Sequence, residues 1–255
     1  MRSHDLDYRI IGDDIQLVEI GLDPKETVIA EAGTMMYMDS QIGFDTKMGD
    51  GSDPNQSLMG KLLSAGTRVL TGESLFVTHF TNRGGSKQRV AFAAPYPGKI
   101  VPIELAHLGG SLIVQKDGFL CAAKGTKISI TLNRRIGSGL VGGEGFIMQK
   151  LVGDGKAFMH AGGTVIERRL NNESLKIDTG CIVGYTPGID FNIETSGNLR
   201  SMIFGGEGIF LASLSGTGTV WLQSMPIRKL IQAISPYGKN VRKESSSLLG
   251  NFLER

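Results

Sequence analysis

Cysteine is nearly absent: Cys121 and Cys181 are the only two in 255 residues. Two cysteines make neither a disulfide framework nor a zinc site by themselves, so both are expected as small apolar core residues. Histidine is almost as scarce. His4, His79, His107 and His160 stand singly, with no His-x-His pair and no local spacing suited to a metal. Charge of one sign is lacking too, since 27 basic residues face 25 acidic ones for a formal charge of +2. A nucleic-acid surface needs a clustered basic face, which this balance does not supply. One Trp, five Tyr and eleven Phe leave few platforms for stacking bases.

Long apolar runs are also missing. Residues 209–227 carry no charge, but their centre, Ser215-Gly216-Thr217-Gly218-Thr219, has hairpin chemistry and its flanks alternate like strands. The first residues, MRSHDLDYRIIGDD, are charged throughout and lack the apolar core of a secretory leader. A soluble, cytoplasmic protein without a transmembrane segment is expected.

What the chain has in excess is glycine. Its 36 glycines are about twice the average usage of roughly 7 %. They punctuate short runs rich in Val, Ile and Phe, the pattern of turns and bulges between strands. The runs repeat. VLTGESLFVTHF from Val69, LVGGEGFIMQKL from Leu140 and IFGGEGIFLASL from Ile203 align without gaps. Downstream, LVGDGKAFM from Leu151 matches LSGTGTVWL from Leu214, each a strand, a Gly-x-Gly turn and a second strand. The first copy has a longer loop there, Thr81 to Lys87. GKIVPIEL from Gly98, GTVIERRL from Gly163 and SMPIRKL from Ser224 form a further anchor. Upstream, Gly33, Gly118 and Gly180 introduce TMMYM, FLCAA and CIVGY.

Three glycine-rich β units in tandem are therefore expected, at residues 1–97, 98–162 and 163–230, followed by a C-terminal extension at 231–255. The first holds an insertion over 44–66 whose centre, LMGKLLSAG, suits one short helix or a loop. After Pro226 the pattern turns helical in IRKLIQAI. The predicted class is all-β, a sandwich or barrel with few short helices, because the helical stretches of a parallel α/β sheet are missing. A unit with one apolar face hides it by stacking, and the open edges of the outer copies favour self-association.

Catalytic motifs fail on context. Gly137, Gly139 and Gly142 match the spacing of a dinucleotide fingerprint, yet they lead straight into a strand and no helix follows. No Gly-Lys-Ser/Thr and no Gly-x-Ser-x-Gly elbow occurs. His79 aligns with Lys150 and Ser213, which places it at a solvated strand position. The one recurring polar feature is Gly-Glu, at Gly72-Glu73, Gly143-Glu144 and Gly206-Glu207. Three carboxylates about a pseudo-axis suit a cation or a basic partner. The structural alternative, favoured here, has each glutamate accepting backbone N–H groups at a bend where glycine supplies the φ. No cofactor, metal or catalytic residue is predicted.

The runs Thr34 to Asp39 (TMMYMD) and Leu70 to Val77 (LTGESLFV), with the Gly-Gly-Glu-Gly repeats, resemble a bacterial and archaeal family related to the fungal "altered inheritance of mitochondria" biogenesis protein. The resemblance spans about residues 6 to 230. It implies three consecutive domains of the tryptophan RNA-binding attenuation protein type, a short double-stranded β-helix, in a pseudo-threefold arrangement. It further implies trimers that close a nine-unit ring, with no catalytic residue to carry over. The expected function is a non-catalytic oligomeric scaffold for protein partners, with peripheral membrane contact through the basic tail. The alternative is a ring that binds a small ligand or nucleic acid, the latter disfavoured by charge.

Overall fold

Along β2 (Leu17–Leu22, LVEIGL) buried and half-exposed side chains alternate, and Val18, Ile20 and Leu22 are fully buried. Period-two patterning makes a strand with one face on a core. β9 (Ser111–Gln115) alternates likewise, burying Leu112 and Val114. By contrast β3 (Thr27–Glu31), β10 (Phe119–Ala123) and β15 (Ile182–Tyr185) are buried at nearly every position. Continuous apolar runs of this kind occupy strands covered on both faces.

The computed structural model describes residues 3–48, 76–134, 146–194 and 211–234. Among these residues all strand pairing is antiparallel, in three sheets. The first has the order β1 (Asp7–Ile11), β2, β7 (Gln88–Ala93), β4 (Met35–Met38). The second runs β5 (Ile42–Met48), β6 (Phe76–Asn82), β3, β10, β13 (Lys156–Gly162), β8 (Gly98–Glu104). The third runs β11 (Lys127–Arg134), β12 (Phe146–Val152), β9, β15, β17 (Leu211–Gln223), β14 (Val165–Asp178), with β16 (Ile189–Glu194) also on β17. The all-β class therefore stands. The helix expected after Pro226 occupies 227–234.

Three apolar layers lie between and within the sheets. Val18, Ile20, Val90 and Phe92 of the first sheet meet Val28, Phe80 and Phe158 of the second. On the second sheet's other face, Ile29, Val77 and Met159 meet Leu112, Val114, Val183 and Trp221 of the third. The third sheet curls over itself and encloses Phe146, Met148, Tyr185, Leu214 and Val220. Phe191 stacks there on Phe146 and Tyr185, at centroid distances of 5.4 and 6.0 Å. Adjacent residues of one strand serve different layers: Ile29 faces one and Ala30 the next.

The curl overturns one expectation. Ser215 to Thr219 is not a hairpin; β17 passes through it as one strand, paired to β14 throughout. Gly216 takes φ +122°, and β14 slips register between Asn171 and Glu173, with Asn172 at φ 54°. Both strands bend together and keep their ladder, so no reversal is needed. The corresponding Gly153-Asp154-Gly155 does separate two strands, β12 and β13, but these belong to different sheets.

Candidate functional site

The residues singled out by the Gly-Glu repeat, Gly72, Glu73, Gly143, Glu144, Gly206 and Glu207, lie outside the described residues. So do the centre of the insertion and most of the C-terminal extension. The histidines are dispersed. His4 Nδ1 accepts the Thr27 backbone N–H at 2.9 Å, and His107 is exposed. His79 is buried, contrary to its expected solvated position. β6 lies inside a six-stranded sheet, which sets His79 between Ile29 and Asp45 on the flanking strands. Among the described residues no group of three or more His, Cys, Asp or Glu is arranged to hold a metal ion.

Cys121 is a core residue, as expected, and burial pushes its thiol pKa up. Cys181 is only half-buried, because the short 3-10 turn Thr179–Cys181 sets it outside β15. The Lys229 amine lies 3.7 Å from its Sγ and 3.2 Å from the Asp178 carboxylate. Burial, then Asp178, raises the thiol pKa, and Lys229 offsets part of that rise.

The arrangement that recurs is in the strand ladders. In β4·β7 the register slips between Met35 and Tyr37; in β10·β13 between Phe119 and Cys121; in β15·β17 between Ile182 and Gly184. Each slip leaves one extra residue on the shorter strand, namely Met36, Leu120 or Val183. Leu120 and Val183 are each 1 % exposed, because β10 and β15 take a second neighbour, β3 and β9. Met36 is 60 % exposed. β4 ends its sheet, and among the described residues nothing pairs with its far side.

The strands that supply those second neighbours also correspond. β3 pairs β6, β9 pairs β12, and the second half of β14 pairs the first half of β17. Three residues link β3 to β4, β9 to β10, and β14 to β15. The far sides of β3 and β9 receive β10 and β15, with Ala30 opposite Cys121 and Val114 opposite Gly184. The far side of β14 receives no strand among the described residues. By the ladders to β6, β12 and β17, the place of Ala30 and Val114 falls to Ile177 on β14. Tyr37 takes the place of Cys121 and Gly184 on β4.

β4 is held to its own sheet by polar contacts. The Tyr37 hydroxyl donates to Glu19 Oε2, a bond that raises the phenol pKa. Glu19 in turn pairs with Arg9 at 3.1 Å and lies 3.8 Å from Arg89. The strand is thus ordered while Met35, Met36 and Tyr37 stand exposed. Chemically, an ordered edge presents free backbone N–H and C=O groups, which another strand can satisfy. The signal was in the sequence: TMMYM puts Met36 and Tyr37 where FLCAA puts Leu120 and Cys121 and CIVGY puts Val183 and Gly184.

The sequence profile of the family described as "Mitochondrial biogenesis AIM24" matches residues 8–225. The chain belongs to that family. An uncharacterized protein of Streptococcus pyogenes serotype M6 is 29 % identical to this AIM24-family chain over 225 residues, 87 % of this chain and 86 % of that one. The crystal structure of a Streptococcus pyogenes protein superposes with a TM-score of 0.72, covering 91 % of this chain and 99 % of the other at 22 % identity. That likeness is one of fold. Among the described residues of the AIM24-family chain no helix is long and apolar enough to cross a membrane.

Proposed function

We propose that this AIM24-family chain is a non-catalytic scaffold subunit that joins head to tail with two further copies in a closed ring. Each chain contributes three tandem units of the tryptophan RNA-binding attenuation protein type, bounded at 1–97, 98–162 and 163–230. The observation that carries this reading is the match between open and closed seams. Among the described residues, β4 has the bulge of β10 and β15 without their neighbour, and β14 has the ladder of β3 and β9 without theirs. A heterologous contact of this kind forms a ring when its rotation closes. The number three comes from the family resemblance.

The internal seams specify the register of the external one: Tyr37 opposite Ile177 of the partner subunit. Residues directly opposite in an antiparallel pair have Cβ atoms about 4.5–5.5 Å apart, within reach of a crosslink. In a Cys181→Ser background, Tyr37→Cys with Ile177→Cys, treated with a short thiol crosslinker, is expected to give covalent trimers. Tyr37→Cys with Asn171→Cys, out of register, is expected to remain single chains on a denaturing gel. A wild-type chain that scatters light as a monomer, or equal crosslinking of both pairs, removes the ring.

A further inference from the structure

A cavity of about 340 Å³ lies between the β3–β4 link, the segment joining β7 to β8, and the 3-10 turn Lys116–Gly118. That volume falls within the range of small-molecule sites. Its wall is mainly apolar, including Ala94, Pro95, Phe119, Leu120 and Ile227. Glu31, Lys116 and Asp117 also line it, so no single sign of charge dominates.

One polar side chain in this wall is buried and only partly served. His160, on β13, is 1 % exposed, and neither ring nitrogen makes a protein hydrogen bond of full geometry, although a backbone hydrogen bond with Tyr96 acts on the imidazole. Tyr96 packs edge-on against it with centroids 4.5 Å apart, which fixes the ring. The same ladder position on β17 is Gln223, which is fully served. Its Nε2 donates to the Gly180 carbonyl at 2.9 Å, and its Oε1 accepts the Gly162 N–H at 2.8 Å. Burial pushes the imidazole pKa down to about 4. At neutral pH the ring is therefore neutral; the Tyr96 backbone engages its N–H, and the other nitrogen is left as an acceptor.

We propose that this cavity binds a small, uncharged, largely apolar molecule bearing one hydroxyl group, which pairs with the His160 imidazole. A hydroxyl donates to the nitrogen that Tyr96 leaves unserved. The site lies within one chain and stands or falls independently of the ring.

The test compares 2-naphthol with naphthalene as probes of the full chain at pH 7.5, by calorimetry or naphthol fluorescence. Wild type is expected to bind 2-naphthol saturably at one site per chain, about fivefold more tightly than naphthalene, the worth of one neutral hydrogen bond. His160→Leu is expected to equalise the two by weakening 2-naphthol alone. Ala94→Phe is expected to abolish both by filling the space. Should His160→Leu not fold, the imidazole ¹⁵N shifts of wild type replace it: 2-naphthol is expected to move His160 and leave His107 unmoved. Equal affinity for the two probes, non-saturating uptake, or an unmoved His160 overturns the proposal.

Discussion

Met36→Lys is the sharpest perturbation of the proposed seam, because Met36 is exposed among the described residues and would be buried where the chains join in the proposed ring. Its equivalents Leu120 and Val183 lose essentially all their exposure, whereas Met36 keeps 60 %. Burying a whole Met side chain contributes about 1.5–3 kcal/mol, so the remaining exposed part is worth about 1–2 kcal/mol at each seam. Lysine forfeits that and adds an ammonium to a dry strand pair, a penalty softened by its flexible stem. The sum is about 3 kcal/mol per seam, or roughly a hundredfold in association at each contact. The fold of the single chain is expected to be spared, since exposed substitutions away from special features stay within about 0.5 kcal/mol. Sedimentation equilibrium over a concentration series reads the mass, with thermal melting in parallel. Met36→Leu, which copies Leu120, is expected to keep the trimer, and Ile15→Lys, at an exposed site between β1 and β2, to leave it intact. A Met36→Lys chain as trimeric as wild type at every concentration refutes the seam.

Two further outcomes follow from single residues. His160 titrates at about 4 in the fold against 6.5 in the open chain, so between those values the unfolded state binds more protons. Stability from the neutral imidazole is thus complete above pH 6.5 and falls as pH drops towards 4, by up to about 3 kcal/mol. Urea melts at pH 7, 6, 5 and 4 measure it, and His160→Phe is expected to flatten that part of the profile; an unchanged slope refutes it. Gly216→Ala sets a Cβ 2.3 Å from the Gly188 carbonyl oxygen at φ +122°. A loss of more than about 1 kcal/mol is expected, while Gly85→Ala, which meets nothing within 4 Å, serves as the neutral comparison in the same melts.

The strands were the legible part of this chain, for a physical reason. In LVEIGL and SLIVQ burial follows a period of two, and pattern alone fixes which side chains face in. The continuous runs FLCAA and CIVGY also announced themselves, since only a strand between two apolar layers tolerates such composition. Ser215 to Thr219 misled because glycines that permit a reversal equally permit a bend, and the choice belongs to β14, whose matching slip at Asn171 is far away in sequence. His79 and Cys181 were misplaced for a related cause. Alignment to Lys150 and Ser213 says nothing of how deep a strand sits in its sheet, and a 3-10 turn displaced Cys181 from the core. The candidate edge was half legible: Met36 and Tyr37 are bulkier than their counterparts, but only the ladders reveal that Met36 is a bulge residue whose strand has no second neighbour among the described residues. His160 carried no signal at all, because its meaning depends on what Gln223 does in another part of the fold.

An exposed strand edge normally invites indiscriminate pairing, and the two edges here meet that hazard differently. The far half of β14 carries Glu173, Lys176 and Asp178 among its residues, charges of the sort that discourage an arbitrary strand. β4 carries no charge, but it has only four residues, and its bulge at Met36 fixes the local twist. A random strand docking on β14 would have to bury or pair those charges, and one docking on β4 would have to follow a bulge. A strand evolved against the same bulge avoids the second cost, as β3 does with β10 and β9 with β15 inside the chain. Selectivity for a second copy of this chain then requires no new recognition chemistry. In the proposed ring it would follow from repeating, between molecules, a junction that the molecule makes twice within itself.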